Sequence, residues 1–123
     1  MTQQPQQFET LAVHAGQAPD SDAGSRALPI HQTTSFVFPS TQSAADRFAL
    51  AEPAPIYTRI TNPTQAVVED RIAALEGGAA GLLLASGQSA ITLSILNLAG
   101  AGDSIAVSPS LYGGSFKDRK SVV

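Results

Sequence analysis

Ala80–Ala85 is an uncharged apolar run that turns through Ser86-Gly87-Gln88-Ser89 into residues of helical spacing, Gly87–Leu98, with Ile91, Ile95 and Leu98 on one face. Gly100 and Gly102 end that helix, and Ser104–Ser108 reads as a second buried strand. Strand, helix and strand in this order predict a right-handed parallel crossover, so the chain is constrained to the α/β class. The glycine lies at the carboxyl end of a strand, where open α/β sheets bind ligands.

A second regular element lies upstream. Asn62 is placed to cap a helix, Pro63 suits its first position, and Gln65 stands three residues after the cap. Val68, Ile72 and Leu75 form an apolar stripe, and Gly77-Gly78 stops the helix, which predicts a helix over Pro63–Glu76. Residues before about position 60 have no such period. Pro5, Pro19, Pro29, Pro39, Pro53 and Pro55 recur among Ser, Thr and Gln, apart from one short helix expected at Ser43–Leu50 with Ala44, Phe48 and Ala51 inward. The expected organisation is an extended arm at 1–61, regular α/β structure at 62–117 and a tail at 118–123. Such an arm lies across its own later domain or a neighbouring subunit.

Composition removes several function classes. A formal net charge of −3 and scattered Lys and Arg give no basic stripe, so nucleic acid is not an expected partner. With no cysteine, and with His14 and His31 far apart, no disulfide and no metal site is expected. The uncharged stretch from Gly77 to Gly102 is interrupted by Ser86, Gln88, Ser89, Thr92, Ser94 and Asn97, which suits a buried strand and helix better than a membrane span. The polar opening Met1–Gln7 lacks the pattern of a secretory signal, so a cytoplasmic location is expected.

Two segments offer groups suited to phosphate. A helix that starts just after a strand points free backbone N–H groups and a positive dipole end at an anion, as Ser86-Gly87-Gln88 would. In Tyr57-Thr58-Arg59 a phenol and a guanidinium share one side of an extended strand, and the guanidinium fork fits phosphate oxygens. Tyr112, just past the second strand, is placed to stack on a flat aromatic ligand. Each has a plainer reading: a tight turn at Gly87, a solvated arginine at position 59, or lid packing by Tyr112. Gly87-Gln88-Ser89 also matches half of a hydrolase nucleophile elbow, but Ile91 replaces its second glycine and no histidine follows Ser89. Taken together, the segments imply a phosphorylated cofactor.

These segments, with Phe8–Gln17 and Pro29-Ile30-His31-Gln32-Thr33-Thr34-Ser35-Phe36, resemble the N-terminal portion of the pyridoxal-phosphate enzymes of transsulfuration, the cystathionine γ-synthase/γ-lyase family. Within it they resemble the O-acetylhomoserine sulfhydrylase branch, and the similarity runs from about Phe8 to Phe116. His31 departs from a tyrosine often found there. The resemblance implies the N-terminal part of a fold type I transferase: an extended intersubunit arm followed by the start of a parallel-sheet domain, truncated. It implies pyridoxal 5′-phosphate as cofactor, with Ser86, Gly87 and Gln88 at the phosphate and Tyr112 stacked on the pyridine ring. By the same resemblance, Tyr57 and Arg59 reach the phosphate of the neighbouring site, where Tyr57 is also a candidate acid or base. Glutamine at position 88 is usual among sulfhydrylases, where lyases and γ-synthases commonly have methionine.

The implied reaction replaces the acetyl group of O-acetylhomoserine by sulfide or a thiol to give homocysteine, in a homotetramer of two active dimers. Cystathionine γ-synthase, cystathionine γ-lyase and methionine γ-lyase are the alternatives. The chemistry needs a Schiff-base lysine and an acidic partner for the pyridine nitrogen. In the family both lie beyond position 123, and Lys117 and Lys120 match neither, so the chain alone is expected to be inactive. Asp118–Val123 does not resemble the family. It back-translates to GAT CGG AAG AGC GTC GTG, a sequencing-adapter sequence, which leads to the expectation of a gene fragment with an artefactual end.

Overall fold

A computed structural model describes residues 6–118. Five helices follow in order: α1 Phe8–His14, α2 Thr41–Phe48, α3 Pro63–Glu76, α4 Gly87–Leu98 and α5 Gly113–Asp118. The chain divides into two compact units, one running to Leu83 with α1, α2 and α3, the other starting at Leu84 with α4 and α5. Most of the tail expected to be unrelated, residues 119–123, lies outside the described residues.

In the first unit α3 starts as its sequence predicts. Asn62, 5% exposed, accepts the N–H of Thr64 on Oδ1 at 2.9 Å, Pro63 takes the first helical position, and Gly77 closes the helix in the left-handed region at φ 66°. The apolar stripe of α3 is not the face that is buried. Ala73 is the buried residue, while Val68 and Ile72 are 42% and 52% exposed. The covered face is the one that receives α1 and the loop after it. Gly16 makes this approach possible: its φ is +70°, and a Cβ there would stand 2.8 Å from both Asp70 Cβ and Val67 O.

The segment before α3 is held mainly by polar contacts. Arg71 donates from Nε to the Ala15 carbonyl at 2.9 Å and from Nη2 to Gln17 Oε1 at 2.8 Å. His31 N–H donates to Thr64 Oγ1 at 2.9 Å. Of the two alternatives for the arm, packing on later residues of its own chain is therefore present here.

α2 begins at Thr41 rather than Ser43, because the Ser40 hydroxyl is the cap and accepts the Ser43 N–H at 3.1 Å. It ends at Phe48, and Leu50 turns the chain away with φ 58°. Ala44 is half-buried, but Phe48 and Ala51 are exposed, so the inward face expected for this helix is only partly formed.

No strand is formed among the described residues. One isolated antiparallel bridge joins Ser35 to Tyr57, flanked by Phe36 N–H to Ile56 O at 3.2 Å and Thr58 N–H to Thr34 O at 2.9 Å. Ala80–Ala85 and Ser104–Ser108 have no ladder, and the predicted parallel pairing is absent. A strand is defined by neighbours that take its backbone N–H and C=O groups, and an apolar run with a strand's composition does not supply its own.

α4 in the second unit begins at Gly87 as predicted, capped by Ser86, and ends at Leu98. A turn follows in which Gly100 N–H donates to Asp103 Oδ2 at 2.7 Å. An open apolar groove of about 350 Å³ lies beside α4, lined by Ile91, Ile95, Leu98, Ile105, Val107 and Leu111, and Leu98 is 86% exposed.

No large side chain among the described residues is fully buried. Expressed alone, the 123-residue chain is therefore predicted to lack a cooperative thermal transition by circular dichroism and to bind a hydrophobic dye. A sharp transition in a monomeric species would contradict this. In the whole protein, Asn62→Ala removes a helix cap and two further part-buried hydrogen bonds, so it is predicted to cost about 2–3 kcal/mol by denaturant unfolding.

Candidate cofactor-phosphate site

Tyr57 and Arg59 are brought together, but not by strand alternation. Tyr57 makes the bridge to Ser35, and the chain then turns, with Ile60 N–H and Thr61 N–H both donating to Tyr57 O at 2.8 and 3.0 Å. The turn sets the Arg59 guanidinium carbon 5.7 Å from the centre of the Tyr57 ring, within cation–π range. Asn62 anchors the turn to α3, since its amide nitrogen donates to Thr58 Oγ1 and to His31 O, each at 3.0 Å. Tyr57 and Arg59 border an open groove of about 420 Å³ whose other walls include Phe36, Phe38, Phe48 and Ile56.

Behind that groove lies a cluster that sequence reasoning did not single out. The largely buried Arg47 guanidinium donates from Nε to Glu52 Oε1 at 2.9 Å and from Nη1 to the Pro55 carbonyl at 3.2 Å, and sits 5.6 Å from the Phe38 ring centre. The Ser43 hydroxyl donates to Glu52 Oε2 at 2.9 Å. Hydrogen bonds from Ser43 and then Arg47, with the charge of Arg47, hold the Glu52 carboxyl below its ordinary range. The only sequence signal was an arginine in the last turn of α2 followed by a glutamate in a Pro-rich loop, a pattern that does not reveal which carbonyl the arginine will reach.

Ser86, Gly87, Gln88 and Tyr112 belong to the second unit. Ser86 caps α4, accepting the Ser89 N–H at 3.1 Å, and its hydroxyl lies 2.9 Å from that of Ser89. The cap uses the Ser89 N–H and leaves those of Gly87 and Gln88 without a partner among the described residues. A Cβ on Gly87 would meet no atom within 4 Å, and its φ lies outside the left-handed region. Nothing among the described residues therefore requires glycine at this position. With two unpartnered N–H groups at a helix start and open space at Gly87, these residues fit a phosphate group.

Tyr112 stands just before α5 and is 78% exposed. The described residues hold no group of three or more His, Cys, Asp or Glu suited to a metal, and no helix among them is long and apolar enough to cross a membrane.

The backbone amides at the start of α4 and the ring of Tyr112 in the second unit, and the Tyr57–Arg59 pair in the first, are each chemically suited to a phosphorylated aromatic ligand. Residues 9–123 match the Cys/Met metabolism PLP-dependent enzyme family, and the chain belongs to that family. It is 55% identical over 108 residues to an O-acetyl-L-homoserine sulfhydrylase of Corynebacterium glutamicum, covering 88% of this chain and 25% of that protein. The corresponding enzyme of Leptospira meyeri is 56% identical over 108 residues, covering 88% of this chain and 24% of its own length. Among solved structures, one from Campylobacter jejuni assigned as an O-acetylhomoserine (thiol)-lyase superposes with a TM-score of 0.84 at 41% identity, over 91% of this chain and 27% of that one. That protein carries N′-pyridoxyl-lysine-5′-monophosphate. Cystathionine γ-lyase of Lactobacillus plantarum, complexed with L-serine, superposes at 0.79 with 35% identity, over 95% of this chain and 28% of its own. The chain thus spans about a quarter of the length of the curated relatives it matches.

The Glu52 cluster gives a pH dependence whose sign is fixed. A carboxyl held below its unfolded value contributes stability above the unfolded carboxylate range and loses it as pH falls through the folded value. In the whole protein, Glu52→Gln is predicted to flatten the acid side of the stability profile and leave the neutral-to-alkaline slope unchanged. Stability measured by denaturant unfolding across the acid range checks this, and parallel acid limbs for the two proteins would contradict it.

Proposed function

We propose that the whole protein is a pyridoxal-phosphate-dependent O-acetylhomoserine sulfhydrylase of the cytoplasm, in which this chain supplies the intersubunit arm and the start of the cofactor domain. The observation that carries this reading is the 55% identity over 108 residues to a named O-acetyl-L-homoserine sulfhydrylase. In the reaction the bond between the γ-carbon of the substrate and its ester oxygen breaks, sulfide or a thiol forms the new carbon–sulfur bond, and acetate leaves. Pyridoxal phosphate, when bound, supplies an electron sink that acidifies the carbons of an amino-acid substrate.

The roles of the residues follow from their chemistry. Ser86 holds the first turn of α4 so that the Gly87 and Gln88 N–H groups bind the phosphate. Tyr112 lays its ring against the cofactor ring. Arg59 and Tyr57 serve the phosphate of a neighbouring subunit, where the Tyr57 phenol can hold or move a proton. The assembly is a homotetramer of two active dimers. Ala80–Ala85 and Ser104–Ser108 take their ladder partners from a parallel sheet formed by the rest of the protein.

Assay of the whole protein with O-acetylhomoserine and sulfide is expected to yield homocysteine and acetate. Cystathionine formed with cysteine as nucleophile would favour a γ-synthase, and elimination without a nucleophile a γ-lyase. Arg59→Ala removes one side of a charged contact and is predicted to weaken cofactor binding by ~2–4 kcal/mol, read by equilibrium dialysis. Mixing Arg59→Ala subunits with subunits lacking the Schiff-base lysine is predicted to restore part of the activity, because one mixed dimer assembles one intact site. Undiminished cofactor retention in Arg59→Ala would remove that residue from the site.

A further inference from the structure

Gln88 carries a second feature that phosphate binding does not use. Its side-chain oxygen Oε1 is buried and has no hydrogen-bond partner among the described residues. A buried carbonyl oxygen without a donor is a cost, and α4 gains nothing from it, since Ser86 caps the helix. The other end of the same amide is packed in a tight place. Nε2 occupies the space that a Cβ on Gly114 would fill, and Tyr112 Cε1 and Cδ1 lie 2.8 and 3.3 Å from that same point. Gly114 is not in the left-handed region, so a side chain there would have to displace the Gln88 amide and the Tyr112 ring rather than strain the backbone. Gln88 and Tyr112 therefore meet at one bare backbone position, and with Oε1 unpaired the packing against Gly114 is what orients the amide.

The geometry points to the Gln88 side chain as a positioning residue that sets the plane of the Tyr112 ring through Gly114, and this assignment rests on the pyridoxal-phosphate reading above. Backbone and side chain of Gln88 then have separate tasks. The N–H contributes to affinity for the phosphate, and the amide contributes to alignment of the ring that stacks on the cofactor. Methionine at position 88 would keep the first and lose the second, because its flexible thioether does not hold a fixed plane.

The test uses the whole protein with pyridoxal phosphate and the variants Gln88→Met, Gln88→Ala, Gly114→Ala and the Gln88→Ala/Gly114→Ala pair. Gln88→Met is expected to keep the cofactor dissociation constant within about twofold while the visible circular dichroism of bound cofactor falls by about half, since only the ring environment changes. Gly114→Ala is expected to weaken cofactor binding by about tenfold, and adding Gln88→Ala to recover much of that loss, because the two side chains compete for one space. A purely structural role would instead move the thermal midpoints of the cofactor-free proteins and leave the visible signal per bound cofactor unchanged. That outcome, or effects of Gly114→Ala and Gln88→Ala that simply multiply, would overturn the assignment. Should Gly114→Ala not fold, Gln88→Met decides alone by its dichroism. A wild-type protein that binds no pyridoxal phosphate would overturn the cofactor reading itself, and this assignment with it.

Discussion

The side chain of Asn62 is the interaction on which the first unit depends. Its oxygen caps α3, and its nitrogen holds both the turn after Tyr57 and the carbonyl of His31. One buried amide thus fixes the start of a helix, the position of a loop distant in sequence and the turn that sets Arg59 against Tyr57. Apolar burial could not do this job here, because among the described residues of the unit only Ile56 and Ala73 are buried hydrophobic side chains. A directional polar group supplies geometry that a small core leaves loose.

The same scarcity of burial explains how the exposed apolar surface is distributed. In the second unit the groove along α4 is lined by aliphatic side chains, and Leu98 at its end faces outward. In the first unit α3 turns its alanine face inward and its Val68 and Ile72 face outward. Both are surfaces of the kind a helix presents to a sheet or to a second layer. Relatives about three and a half times as long as this chain have material to cover them.

How much could be read beforehand depended on whether a signal was local. The start of α3 at Asn62-Pro63, its stop at Gly77 and the start of α4 after Ser86 are decided within a few residues, and all three are where the sequence puts them. The family was legible for the same reason, since its motifs are contiguous. The strands were not, because Ala80–Ala85 and Ser104–Ser108 need partners that no local pattern provides. The face of α3 that α1 covers was not legible, because a stripe of Val68, Ile72 and Leu75 says nothing about what packs on the opposite side. The pairing of Tyr57 with Arg59 was anticipated for a different reason, alternation along a strand, where the chain uses a turn. The crowding at Gly114 and the Arg47–Glu52 cluster were invisible, since each depends on where loops bring a side chain.

The central claim is that the first turn of α4 holds a cofactor phosphate and that Arg59 completes the neighbouring one. A crystal structure of the whole protein grown with pyridoxal phosphate measures this directly. The account predicts phosphate oxygens within hydrogen-bond distance, about 2.7–3.2 Å, of the Gly87 and Gln88 backbone nitrogens, with an Arg59 guanidinium from an adjacent subunit on the same phosphate. A cofactor phosphate held elsewhere, with the start of α4 facing only solvent, would contradict it.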